Sequence, residues 1–416
     1  MVCRFSSIFL ASLLVAAQPA PTYFPPPDSA GGWRRLTKPE DIRRVAQIDI
    51  RRLDAAFAAA EASSKNGGLL VVRHGWLVYE KYFGLGHRNA APNLGSVGKS
   101  FTSVAIGVLM SERLELFPDG LDQKVFTPTY LPSEAFPVSD PRMAEMKLGQ
   151  LLSFTAGIRG NNPSFVRGAE TAINPSGPDG WQAMVDTIAV GKKDAHDNGA
   201  VRTTSTLWCR PGDGYSYATA SAHIASMIVR HVSGMELQEY VRIRLAEPLG
   251  WGPFTYGYRY AEQITHTPGG GGIAVRATDM LRFGYLLLRL GRWGNRQLVP
   301  ADYVRHCGQK SVYNPHYPYS LQFDVNTDGQ ISNWPRDTFW KSGSGGHVLY
   351  VVPSLDLVVW KLAGRDSQYS EADTGTAADV AVAQAAAESR RNWKATLDDN
   401  AAQRAVLDRV LEAIIQ

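Results

Sequence analysis

The chain has 416 residues, 44% of them hydrophobic, with 43 basic and 39 acidic residues and a net charge of +4. That length supports a large core and two or three folding units. The near balance of charge, without a basic run or an aromatic-interleaved stripe, argues against a nucleic-acid partner.

In chain order, residues 1–18 read as an export signal. Arg4 supplies the positive start, Ile8 to Ala17 is apolar, and Val15, Ala16 and Ala17 offer small residues for cleavage. The expected location is periplasmic or secreted. No apolar stretch reaches the roughly 20 residues a bilayer span needs, so no stable membrane span is expected. Residues 19–40, rich in proline and glycine, read as an extended arm. Asp41 to Ser64 has helical spacing, and Leu69–His74 and Trp76–Tyr82 read as strands turning at His74-Gly75. An apolar helix follows from Ser96 to Ser111. Residues 112–254 read as a mainly helical domain. Within it, Gly157 to Gly180 is an expected loop, and Ser221–Val232 and Glu236–Glu247 are expected helices separated at Gly234.

Gly269 to Gly272 allows a close backbone approach or a sharp turn. Thr278 is an expected cap for a helix running to Leu290. Val348–Val352 and Leu355–Leu362 read as paired strands around Pro353-Ser354, and an alanine-rich helical tail runs from Ala377 to Ile415. Strands thus lie at both ends of the chain. The expected fold is α/β (α+β): an antiparallel sheet built from residues 41–111 and 255–416, flanked by helices, with the helical lobe inserted.

The chemistry concentrates in three places. From Ser96 to Ser111 the sequence SVGKSFTSVAIGVLMS contains one charged residue, Lys99. Val97, Phe101, Val104 and Val108 recur at helical spacing. Lysine is rarely buried without a partner or a task. At i and i+3, Ser96 and Lys99 share a helix face. A desolvated amine that is neutral near pH 7 can take the hydroxyl proton and activate the serine. Gly98-Lys99-Ser100 also mimics the end of a phosphate-binding loop, but Asn93 stands where that loop needs glycine. A second element, Pro211 through Thr219, carries Tyr217 at a loop-to-helix junction, where its phenol can relay protons or simply pack. A third, Lys341-Ser342-Gly343-Ser344-Gly345-Gly346-His347, heads a strand with small residues whose N–H groups can serve as oxyanion donors. His347 faces either substrate or solvent, and Tyr317 and Tyr319 line the cleft or pack in the core. Three cysteines without close spacing and nine histidines without an H-E-x-x-H pattern suggest neither metal nor cofactor. Cys209 and Cys307 could pair if the fold brings them together.

In this order, Ser96-x-x-Lys99, Tyr217-Ala218-Thr219 and Lys341-Ser342-Gly343 resemble the serine β-lactamase and penicillin-binding-protein superfamily. Leu69 to Gly75, Gln150 to Ile158 and Pro211 to Tyr217 resemble its branch of class C β-lactamases, esterases, D-aminopeptidases and 6-aminohexanoate-oligomer hydrolases. The resemblance implies an exported serine hydrolase acting on small esters or amides. Ser96 would be the nucleophile, Lys99 its base, Tyr217 the proton relay, and the N–H groups of Ser96 and Ser344 the oxyanion donors. Thr219 departs from the asparagine many β-lactam-handling members carry, which weighs against the alternative of a β-lactamase or D-alanyl-D-alanine carboxypeptidase. A non-catalytic, penicillin-binding-like sensor is a further alternative. The third element reads two ways. As Lys-Ser-Gly it gives Lys341 a role. Aligned with the G-x-G-G run of the esterase branch, Gly343 to Gly346 carries the function and Lys341 does not. The sequence leaves oligomeric state open.

Overall fold

The computed structural model describes residues 22–138, 140–158, 161–166, 207–256, 266–370 and 400–415. The expected export signal and the first half of the alanine-rich tail lie outside them.

Helix α1 (Ile50–Ser63) starts where the Asp49 carboxylate accepts the Arg51 N–H. Strands β1 (Gly67–Arg73) and β2 (Trp76–Phe83) form the expected hairpin. Helix α2 (Gly98–Glu112) follows a single 3₁₀ turn over Gly95–Val97. Strand β3 (Asn161–Val166) pairs with β4 (Gly214–Tyr217), so part of the expected 157–180 loop is extended and hydrogen-bonded. Helix α3 (Thr219–Ser233) ends at Gly234. Helix α4 (Ala277–Leu288) begins one residue before Thr278, which therefore does not cap it. The buried Thr278 hydroxyl instead donates to Asp28. Strands β5 (Tyr319–Ser320), β6 (Phe323–Val325), β7 (Phe339–Gly343), β8 (His347–Val352) and β9 (Leu357–Leu362) come next, and helix α5 (Asn400–Glu412) lies within the expected tail.

These strands make one seven-stranded antiparallel sheet in the order β2-β1-β9-β8-β7-β6-β5. Early and late segments meet within it, between β1 and β9, where Leu70 pairs with Trp360. Side-chain alternation along the strands divides the core. Leu70, Val72, Leu349, Val351 and Trp360 face one apolar cluster, with Phe101 and Val104 of α2 and Met280 and Phe283 of α4. Leu69, Val71, Val348, Tyr350 and Val359 face the other, with Leu53 and Ala56 of α1 and Val406 and Val410 of α5. The sheet is therefore a middle layer between two helical layers.

The N-terminal arm is bound to this core. Trp33 is buried and donates to the Thr278 carbonyl, and Arg35 bridges to Leu77 at the edge of β2. Asp28 pairs with Arg282 at 2.8 Å. Cys209 and Cys307 are both buried free thiols, so they do not pair. Burial pushes the Cys209 thiol up to about 12, which leaves no thiolate at neutral pH. Among the described residues, no helix is long and apolar enough to cross a membrane.

Candidate active site

Ser96 lies in the 3₁₀ turn that leads into α2, and Lys99 lies in the helix's first turn. Every residue of α2 from Gly98 to Leu109 is buried, so the helix is enclosed all round rather than along one stripe. The Lys99 side chain is 1% exposed. Its Nζ lies 3.0 Å from Ser96 Oγ and donates to the Gly270 carbonyl at 2.6 Å. Burial disfavours the ammonium and lowers Lys99 to about 8, opposed by Tyr217 and reinforced by Lys341. The positive end of the helix dipole acts in the same direction. With one N–H committed to the carbonyl, the neutral amine can turn its lone pair to the serine hydroxyl.

The Gly269 to Gly272 run is what brings that carbonyl in. The Gly269 carbonyl accepts from Thr102 Oγ1 at 2.7 Å. A Cβ on Gly98 would stand 2.8 Å from the Gly271 Cα, so the loop and the helix backbone touch. The sequence marks this run for close approach without naming its partner, which is the serine–lysine helix.

Tyr217 ends β4, and its ring lies 5.1 Å from Lys99 Nζ and 5.0 Å from Lys341 Nζ. Its phenol receives a 3.3 Å bond from Lys341. Burial opposes ionisation of this phenol, but the two ammonium groups outweigh it and draw Tyr217 down to about 8. Ser96, Lys99, Tyr217 and Lys341 therefore form one connected cluster. Lys341 is 1% exposed and also donates to Tyr319 Oη at 2.6 Å. Of the two readings of the third element, this geometry agrees with the one that gives Lys341 a role. Tyr319, open in sequence between cleft and core, is buried and also holds that lysine. It belongs to an aromatic group with Phe154, Tyr215 and the half-buried Tyr217 and Tyr317.

Gly343 to Gly346 form the end of β7 and the turn into β8. Lys341 pairs with Leu349 and faces the α2 side, whereas Ser342 pairs with Val348 and alternates to the opposite face. The turn presses the Ser344 amide against Gly95, the residue before Ser96. A Cβ on Gly95, whose φ is +55°, would lie 2.8 Å from Ser344 N. Glycine is required there both for that φ and for that approach. Gly346 is held from behind by buried Lys361, whose Nζ donates to its carbonyl at 2.8 Å and to Ser64 Oγ at 2.7 Å.

His347 faces neither substrate nor solvent. It is fully buried, its ring stacks on Trp360 at 6.0 Å, and its Nδ1 accepts the Ala363 N–H at 3.1 Å. Burial, reinforced by Lys361, lowers it to about 3, so it is a neutral packing residue. Among the described residues no group of three or more His, Cys, Asp or Glu is arranged to hold a metal.

The Beta-lactamase family model matches residues 53–384. Similar solved structures include a candidate 6-aminohexanoate-dimer hydrolase from Bacillus anthracis, at 20% identity and TM-score 0.58 over 88% of each chain. EstCE1, described as a hydrolase with promiscuous acyltransferase activity, matches at 20% identity and TM-score 0.57 over 80% of this chain and 98% of its own. Simvastatin synthase from Aspergillus terreus matches at 15% identity and TM-score 0.55 over 82% of this chain and 98% of its own. At these identities the likeness establishes the fold. No curated protein matches the sequence.

Proposed function

This chain belongs to the Beta-lactamase family, among the serine hydrolases, and we propose that it cleaves small-molecule esters or amides through an acyl-enzyme on Ser96. The observation that carries the reading is the buried Lys99 amine 3.0 Å from Ser96 Oγ and one helical turn away. Lys99, coupled to Tyr217, takes the hydroxyl proton as Ser96 Oγ bonds to the substrate carbonyl carbon. The negative oxygen meets the N–H groups of Ser96 and Ser344. When the tetrahedral species collapses, the bond to the leaving alkoxide or amine breaks and Tyr217 passes it the proton. Water then attacks the acyl carbon, giving up its proton to the same pair; the acyl–Oγ bond breaks, Ser96 takes that proton back, and the acid leaves.

Two features favour general ester or amide hydrolysis over β-lactam turnover. The third position of the tyrosine element is Thr219, whose methyl carbon packs against the glycine loop: a Cβ on Gly270 would lie 2.3 Å from it. It presents no side-chain amide to a substrate. The B. anthracis neighbour is named for a 6-aminohexanoate dimer and not for a β-lactam. Export to the periplasm or medium belongs to the same proposal and rests on the N-terminal pattern. Sequencing the N-terminus of the protein recovered outside the cytoplasm tests it.

The decisive experiment is mass spectrometry of the chain quenched during turnover of p-nitrophenyl butyrate. A butyryl adduct on the peptide containing Ser96 is expected. Ser96→Ala should lose both adduct and turnover while melting at the wild-type temperature, because it removes one hydroxyl. Turnover near the wild-type rate in that variant would refute the assignment. Nitrocefin and a D-Ala-D-Ala peptide, assayed beside the ester, separate the β-lactamase and carboxypeptidase readings.

A further inference from the structure

Two pieces of chain far apart in sequence supply the proposed oxyanion donors, and they must keep a fixed separation. Donors act at roughly 2.7–3.1 Å from the oxyanion, and a misplacement of about 1 Å costs on the order of a hundredfold in rate. Gln368, on the short helical turn Asp366–Ser370, stands where the two pieces meet. Its Nε2 donates to the Asn93 carbonyl at 2.6 Å and to the Ser344 carbonyl at 3.0 Å. Its Oε1 accepts the Arg365 N–H at 2.9 Å. This pattern fixes which end of the amide is nitrogen, since the flipped amide would set oxygen against two carbonyls.

The connections continue on both sides. The Gln368 carbonyl accepts the Asn93 N–H at 3.0 Å. The Asn93 side chain in turn accepts the Gly95 N–H at 2.9 Å, one residue before the nucleophile. On the other piece, Gly345 packs directly on the amide: a Cβ there would lie 2.3 Å from Gln368 Oε1, at a φ of +95°. The Gly345 carbonyl is tied to the Gly364 N–H at 3.1 Å. Gln368 thus holds the Asn93–Ser96 segment and the Ser344–Gly345 turn from behind through their carbonyl oxygens. Its side-chain hydrogen bonds run to the backbone of Asn93, Ser344 and Arg365, not to Ser96, Lys99 or Tyr217.

We propose that Gln368 is a positioning residue that sets the distance between the Ser96 and Ser344 amides, and so the strength of the oxyanion hole. The proposal rests on the reading of Ser96 as the acylated nucleophile. The effect belongs to the transition state, because the ground-state carbonyl makes weaker use of the two donors. Loss of the clamp should lower kcat and leave KM nearly unchanged.

The test uses the full chain and the variants Gln368→Met, which keeps the length but loses both donors, and Gln368→Ala. Active sites are counted by titration with a fluorophosphonate, so misfolded molecules drop out of the rate. An alkylboronic acid, which forms a tetrahedral adduct on a serine hydroxyl, probes the hole directly. The expected result is a fall in kcat per titrated site of about 10- to 100-fold, with a boronate affinity weakened by the same factor. A per-site kcat within about twofold of wild type, or a loss confined to KM, overturns the proposal. Wild-type protein that the fluorophosphonate does not label at Ser96 overturns the nucleophile reading and this proposal with it. Labelled, active wild type beside unaltered variants overturns the clamp alone.

Discussion

Arg282 and Lys99 are both buried cations on helices of the same layer, yet their surroundings differ. Arg282, fully buried on α4, pairs with Asp279 at 2.9 Å and Asp28 at 2.8 Å and also donates to the Pro26 carbonyl. Arg276 joins both carboxylates from the side. Charge meets charge, and a guanidinium does not release its proton in any case. Lys99 and Lys341 are as deeply buried, but their hydrogen-bond partners are a hydroxyl, a backbone carbonyl and two phenols. Among the described residues neither amine has a carboxylate hydrogen-bond partner. The first arrangement ties the arm to the core, and the second leaves protons free to move.

Substitution should separate the two clusters along different axes. Lys99→Met is expected to lower kcat/KM for p-nitrophenyl butyrate by about 10²- to 10⁴-fold, the usual contribution of a general base. Its melting temperature should stay level or rise, because an apolar side chain replaces an ammonium that has no carboxylate partner among the described residues. Arg282→Met should do the reverse. It leaves Asp279 buried and deprived of this partner, at a cost of about 3–5 kcal/mol of stability, with turnover per titrated site unchanged. Denaturant titration and active-site-normalised rates measure both variants. A Lys99→Met protein that is much less stable, or an Arg282→Met protein that is stable and inactive, would erase the distinction.

The next effect is on pH. Lys99 and Tyr217 both lie near 8, and they titrate as a coupled pair rather than as separate groups. Below that pH the pair keeps its protons and no base is available, so kcat/KM should rise with pH and level off above about 8. Lys341 lowers both members of the pair. Lys341→Met should therefore move the rising limb to higher pH. Activity at neutral pH should fall about tenfold for each pH unit by which the limb moves. A limb that stays in place would assign the third element to the glycine run alone.

How much of this was legible in the sequence depended on whether the signal was local. The two hairpins carry short apolar runs broken at turn residues, the serine–lysine helix carries a period-3.6 pattern, and those elements formed. Ser96 and Lys99 could be paired because three residues of helix fix their geometry. Lys341 remained open because its partner Tyr217 lies in another segment, and a strand's alternation does not say which face is the site. Gly270 was hidden for a related reason: its contribution is a carbonyl, which no residue type announces. Gln368 gave no signal, since a single glutamine in a turn has no pattern to detect. His347 misled through composition. A histidine after glycines at a strand start looks exposed until Trp360, on the neighbouring strand, is seen to cover it.

That histidine supplies the smallest effect and a third kind of buried group, one kept neutral. His347 lies at about 3 in the folded chain against an ordinary value of 6.5. Between those values the unfolded chain binds a proton that the folded chain does not. Stability then increases with pH across that window, and it falls as pH drops from 6.5 toward 3, by about 1.4 kcal/mol per pH unit for a single fully buried site. His223, also fully buried and lowered to about 3, adds the same slope independently. His347→Gln keeps an acceptor for the Ala363 N–H but cannot titrate, so one of the two contributions disappears. Urea midpoints at about pH 7 and pH 5.5 should show the wild type losing about 1 kcal/mol more than the variant over that interval. Equal losses would mean that His347 takes up its proton while folded, which burial, the Lys361 ammonium and the Ala363 N–H already pointed at Nδ1 disfavour.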